Sequence, residues 1–204
     1  MFSSQKKESA YPEQVERMVN KMIAAYTDAE LAYAQAAANA ASEKVGLENF
    51  AHYFQVRARE INEQRNFMVR YQARRSSTAP QEKEEQFQQR QPMKTARTAD
   101  EMKDIMRHLA DLEKELEEMW RKLCEIAAEI KDAMSKHFAE RHITYQHHRM
   151  EKAARMYNTV QQMSDLYQMD NTAMKNEMEK RECQRHHCQG CSYYEYPSED
   201  YYAY

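Results

Sequence analysis

The stretch MKDIMRHLADLEKELEEMWRKLCEIAAEI, residues 102–130, decides the fold. Met102, Ile105, Leu109, Leu112, Leu116, Met119, Leu123, Ile126 and Ile130 follow one another at steps that alternate between three and four without a miss. That spacing holds one apolar face on an α-helix and leaves the opposite face to Lys, Arg, Asp and Glu. A helix of this length, about 43 Å at 1.5 Å per residue, needs other helices to cover its stripe. The chain supplies them on both sides. Upstream, Val15, Met18, Val19, Met22, Ile23, Tyr26, Tyr33 and Ala37 share one helical face, followed after Gly46 by Leu47, Phe50, Ala51, Phe54, Ala58, Ile61, Arg65 and Met68. Downstream, Phe138, Ile143, Gln146, Met150, Ala153, Tyr157, Val160, Ser164 and Tyr167 continue the pattern. The spacing predicts helices over residues 12–41, 46–75, 99–131 and 133–168. Pro12 is a favoured first-turn residue, and Asp100 and Lys131-Asp132 mark the starts of the third and fourth.

Composition agrees with few turns. The 204 residues include Gly 2 and Pro 4, far below the roughly 7% and 5% of an average chain. Sandwiches, barrels and doubly wound sheets need turn residues between short strands and are excluded. Two glycines cannot build a dinucleotide or phosphate-binding loop. Leu, Ile, Val and Phe together make only 25 residues, but Met 15, Tyr 14 and many alanines supply apolar volume, and the net charge is only −3. The reading is a thin-cored, Met-packed helical protein and not a disordered chain. The balanced charge offers no electrostatic case for nucleic acid, and no apolar run approaches the ~20 residues of a membrane span. The opening MFSSQKKESAYPEQ lacks the apolar run of a signal peptide, so the expected compartment is the cytoplasm.

Residues 76–99 have no periodicity and read as a long solvated crossover with a mobile middle, long enough to make the helices it joins parallel. After Asp170 the period fades, with Ala173, Met174 and Met178 left to form a short fifth helix. The expected organisation is an N-terminal segment 1–11, a bundle 12–182 and a tail 183–204. In the tail, Cys183, Cys188 and Cys191 enclose His186 and His187. Three thiols and an imidazole suit one tetrahedral zinc, with disulfides or free thiols as the alternatives. The closing YYEYPSEDYYAY reads as a docking or modification segment, or a disordered tail.

The residues themselves resemble ferritins. V45-G-L-E-N-F-A-H-Y-F54 is similar to the second-helix opening Val-Ala-Leu-Lys-Asn-Phe-Ala-Lys-Tyr-Phe of ferritin heavy chains. The similarity runs back through Tyr33, forward through Arg75, and on through L112-E-K114, Asp132, Phe138, Glu140 and His142. The resemblance implies an all-α four-helix bundle with one long crossover connection, and an oligomeric cage built from copies of this chain or from other ferritin chains. It also implies a di-iron oxidation site inside the bundle, which is where this sequence departs. The first-helix glutamate position is Tyr26, and the second-helix glutamate and histidine positions are Ile61 and Gln64. None of the three supplies a carboxylate or imidazole. Glu60, Glu113 and the neighbouring Tyr33 are retained, and the fourth-helix glutamine position is His147 in a gap-free match or Gln146 after a one-residue slip.

Light ferritin chains also lack the oxidation site and nucleate mineral on inner-surface glutamates, for which Glu60 and Glu63 are the matching positions. The plainer alternative is that both face solvent or pair with Arg57, Arg59 or Arg65. The three-fold pore positions are His137 and Glu140. The resemblance therefore implies a cage subunit contributing to iron storage without rapid oxidation chemistry and without an organic cofactor. A scaffolding protein that uses its tail for contacts, and a weak residual oxidase using Glu60, Glu113 and His147, are the other readings.

Overall fold

The computed structural model describes residues 11–76 and 95–185. The chain forms α1 (Glu13–Ala40), α2 (Glu48–Ser76), α3 (Glu101–Glu129) and α4 (Ala133–Gln162). A fifth helical segment follows, made of α5 (Leu166–Met169), a π-helical turn (Asp170–Met174) and α6 (Lys175–Arg185). No strand occurs among the described residues, and none of their helices is long and apolar enough to cross a membrane.

Local chemistry sets the ends. Extended Pro12 precedes α1, and its carbonyl accepts from the amides of Val15 and Glu16. The turn between α1 and α2 closes when the Leu47 amide donates to the Ala40 carbonyl at 2.9 Å, and Gly46 makes that turn with φ +63°. A side chain would fit there, since an added Cβ would meet only Tyr167 Cε1 at 3.9 Å. The glycine is needed for its left-handed backbone. Before α3, Thr98 Oγ1 accepts from the Glu101 amide, and Glu101 Oε2 accepts from the Arg97 amide. This reciprocal arrangement resembles a capping box; Asp100 itself makes no capping bond. Asp132 caps α4 by accepting from the amide and hydroxyl of Ser135, and Arg75 from the end of α2 pairs with it at 2.9 Å.

The four long helices share one core. Tyr26 meets Trp120 and Tyr33 meets Glu113, so α1 and α3 run antiparallel. On α2 and α4, Glu60 pairs with Arg149, Phe67 stacks on Phe138 and Tyr71 bonds Ser135, which is again antiparallel. With α1 and α2 joined by a short turn, α2 and α3 are parallel, as a long crossover requires. The far end of that crossover is pinned: Ala96 is buried and its amide donates to Asn39 Oδ1 at 3.0 Å. Residues 77–94, on which the expectation of a mobile middle falls, lie outside the described residues. The α3 stripe is buried from Met102 to Leu123, whereas Met119, Ile126 and Ile130 sit half-buried at its margin.

The fourth helix is shorter than its spacing predicts. It stops at Gln162 because Met163 turns extended and Asp165 opens a new helix by accepting from the amides of Tyr167 and Gln168. Ser164 and Tyr167 thus leave the stripe, and Tyr167 is exposed. The fifth segment is longer than predicted and continues through the expected 182/183 boundary to Arg185. The π-turn's extra residue brings Met169, Asp170, Met174 and Met178 all to the buried side, leaving Ala173 outside.

Asp170 is the anchor of that segment. Its carboxylate, 3% exposed, accepts from the Phe50 amide at 2.8 Å and from the amide and side chain of Asn49 at 3.2 and 3.1 Å. It therefore caps α2 from 120 residues away, a role that Leu47, just ahead of α2, has no side-chain oxygen to fill. The ion pair between Lys152 and Glu177 ties α6 to α4. Asp170→Ala is expected to cost about 1–2 kcal/mol in urea unfolding, with the Asn49 and Phe50 amides losing hydrogen-exchange protection first. Unchanged protection at those two amides would contradict the cap.

Candidate functional site: an ion-pair cluster at the bundle centre

Each long helix sends polar side chains to one level of the core. From α1 come Tyr26 and Tyr33, from α2 Arg57 and Glu60, from α3 Glu113 and Trp120, and from α4 Gln146 and Arg149. Helical spacing explains the convergence on α2: Arg57 lies three residues after Phe54 and four before Ile61, on the apolar stripe itself. Glu113 stands one position after Leu112 on the inward side of α3. Both are 1% exposed.

Glu113 is saturated. Its Oε1 accepts from Arg57 Nε at 2.7 Å and from the Tyr33 hydroxyl at 2.8 Å. Its Oε2 accepts from Arg57 Nη2 at 2.8 Å and Gln146 Nε2 at 2.6 Å. The two Arg57 bonds make a bidentate fork, the strongest geometry for this pair. Burial alone would raise the Glu113 carboxyl, but the Arg57 charge, then the hydrogen bonds from Arg57, Tyr33 and Gln146, hold it below the ordinary range. Burial opposes the Arg57 charge as well, and Glu113 overcomes it, pushing the guanidinium pKa upward. Burial also raises the Tyr26 and Tyr33 hydroxyls, so both remain neutral donors.

The network extends in two directions. Gln146 Oε1 accepts from the Tyr26 hydroxyl at 3.3 Å, and that hydroxyl accepts from Trp120 Nε1 at 2.6 Å. On the other side Arg57 Nη1 reaches Glu60 at 3.3 Å, and Arg149 Nη2 reaches the same Glu60 oxygen at 3.0 Å. Arg149 also donates to the Tyr145 hydroxyl and lies over its ring. Two carboxylates and two guanidiniums make the cluster neutral without any added ion.

Tyr26, Ile61 and Gln64 are buried side chains of the core, with Gln64 Oε1 lacking a hydrogen-bond partner among the described residues. Glu60 and Glu113 are brought together, but through Arg57 between them. Of the two candidates on α4, Gln146 is the one that points into the core and reaches Glu113. His147 is displaced by one residue, about 100° around the helix, which turns its ring outward against Glu117 at 3.4 Å and Glu151 at 3.5 Å. The Glu60 side chain is 11% exposed and engaged by both arginines. Of the alternative partners, Arg57 does take Glu60, whereas Arg65 pairs with Glu30 at 2.7 Å. Glu63 is exposed.

His137 and Glu140 are both exposed on α4, with Lys136 at 3.5 Å from Glu140. Cys183 falls in the last turn of α6; His186, His187, Cys188 and Cys191 lie outside the described residues. Arg149 and the hydrogen-bonding part of Trp120 escaped sequence reading. The signal that could have found the network is Arg57, a charge between Phe54 and Ile61 on the buried side of α2.

A ferritin-like domain profile matches residues 16–163, spanning α1 to α4. The chain belongs to the ferritin family. No curated protein matches it. Members of that family are the reason to ask whether this core could hold iron, and its side chains do not fit a di-iron centre. Ile61 offers no donor atom, Tyr26 is protonated and committed to Trp120 and Gln146, and all four bonds to Glu113 come from the protein. Among the described residues no three His, Cys, Asp or Glu side chains converge as a metal-ligand group.

Proposed function

We propose that this chain is a non-oxidising ferritin-family subunit, contributing to an iron-storing assembly in a structural, light-chain-like way. The observation that carries the reading is Arg57, whose guanidinium occupies the space between Glu113 and Glu60. A divalent cation entering there would meet a fixed positive charge instead of free carboxylate lone pairs. The arginine supplies the charge balance from within the chain, and the bundle keeps its shape without a metal. Assembly with copies of itself or with other ferritin chains, and a cytoplasmic setting, belong to the same proposal.

Aerobic Fe(II) oxidation by the purified protein should run at the rate of the buffer control. Restoring it should require Y26E, I61E and Q64H together with R57Q, since the three ligand substitutions alone leave the guanidinium in place. Stoichiometric binding of two irons per subunit with rapid oxidation by the unaltered protein would overturn the proposal.

A further inference from the structure

The outward stripe of α2 carries a charge pattern that the core does not use. Gln55, Arg59, Glu63, Asn66, Arg70, Ala73 and Arg74 are its exposed residues beyond Glu48. From Gln55 to Arg70 they recur at steps of three and four, and Ala73 and Arg74 follow Arg70 at three and four, so all lie on one face. Over its length α2 holds arginines at 57, 59, 65, 70, 74 and 75 against glutamates at 48, 60 and 63, a net charge of +3 within a chain whose total is −3.

Three acids on or near α2 are engaged with other arginines. Glu30 holds Arg65, Glu60 holds Arg57 and Arg149, and Asp132 holds Arg75. Arg59, Arg70 and Arg74 form no ion pair with any described residue. Arg59 makes only a 3.5 Å contact with the Gln55 carbonyl on its own helix. Glu63 is the single exposed acid between them.

We propose that this stripe binds a linear phosphate polyanion, inorganic polyphosphate. Three features select that class. Arginine forks match phosphate oxygens. The stripe is long: Arg59 and Arg70 are about 16 Å apart along the axis and Arg70 and Arg74 about 6 Å, so no single phosphate can satisfy all three. It also presents no exposed aromatic ring on which a nucleic-acid base could stack, the usual companion of a basic groove in single-strand binding. The exposed large apolar side chains of the described residues, Leu31, Met134 and Tyr167, all lie off α2.

The test is equilibrium binding of polyphosphate to the full chain across a salt series. Binding at low salt should weaken as salt rises, with a log–log slope of about −2 to −3 for three neutralised arginines. R59Q/R70Q/R74Q should lose tenfold or more in affinity and most of that slope, while its melting temperature stays near that of the parent because all three side chains are exposed. K114Q/K122Q, which removes two exposed lysines of α3, should bind like the parent. Four outcomes would each overturn the proposal: no binding by the parent, an equal loss in the lysine variant, equal affinity for orthophosphate, or equal affinity for single-stranded DNA.

Discussion

Replacing Glu113 by Leu is expected to destabilise the protein by about 3–5 kcal/mol, because it leaves the Arg57 guanidinium buried without its carboxylate. Arg57→Met should do comparable damage by stranding Glu113. The double variant R57M/E113L should recover a large part of the loss, since neither charge is then left in the core. The recovery will be incomplete: the Tyr33 hydroxyl and Gln146 Nε2 still lose their acceptor, at about 1 kcal/mol or more each. Urea unfolding of the four proteins at neutral pH gives the coupling energy directly. Additive losses, with no recovery in the double variant, would mean that Arg57 and Glu113 do not act as a pair. The cycle also separates two ideas about the core. An ion pair that merely fills space in the core is replaceable by apolar volume, whereas a pair that aligns four helices is not.

Acid is expected to weaken the fold well before the carboxylates titrate, and His142 is the reason. Its ring stacks on Trp120 with centroids 4.6 Å apart and packs against Phe67 and Phe138. Its Nδ1 lies 2.8 Å from the Phe138 carbonyl. Burial pulls its pKa down from 6.5 to about 4, against a smaller opposing effect of that carbonyl. Above pH 6.5 the histidine is neutral in both folded and unfolded chains and costs nothing. As pH falls below 6.5 the unfolded chain takes up a proton that the folded one refuses, so stability falls until about pH 4 and then levels. The depression corresponds to about 3 kcal/mol. Glu113, Glu117 and Asp132, held below their ordinary values of 4.5 and 3.8, add their own losses only as pH falls through about 4.5 and lower. Between pH 6.5 and 5 the slope should therefore belong to histidine. His142→Phe, which keeps a ring in the stack, should flatten that part of the curve. An equal slope in this variant would assign the effect elsewhere.

The helices were legible because their apolar stripes are strict and the chain has almost no turn residues. The α3 spacing alone requires a partner surface of matching length, and Gly46 and the crossover leave few ways to arrange it. The end of α4 was not legible. Val160, Ser164 and Tyr167 keep helical spacing, and only the competition of the Asp165 carboxylate for the next amides breaks the helix there. The π-turn was hidden for a related reason, since one extra residue spoils a period without removing the helix. In the core, the absence of ligand types at Tyr26, Ile61 and Gln64 could be read from residue identity. The ion-pair network beside them could not, because pairing across helices has no fixed sequence spacing. Gln146 and His147 differ by a single residue of register, and only the side-chain contact with Glu113 shows that Gln146 is the one facing the core.

Trp120 is the chain's one tryptophan, and its surroundings make it an optical reporter of the whole interior. One edge of the indole donates to Tyr26, which leads through Gln146 to the Glu113–Arg57 fork. One face lies flat on His142. Emission recorded from a single chromophore will thus register both a proton arriving at the imidazole and any slackening of the charged network. Because the ring is 1% exposed, its colour should stay blue until the helices separate, and dimming without a red shift will mark events inside an intact bundle.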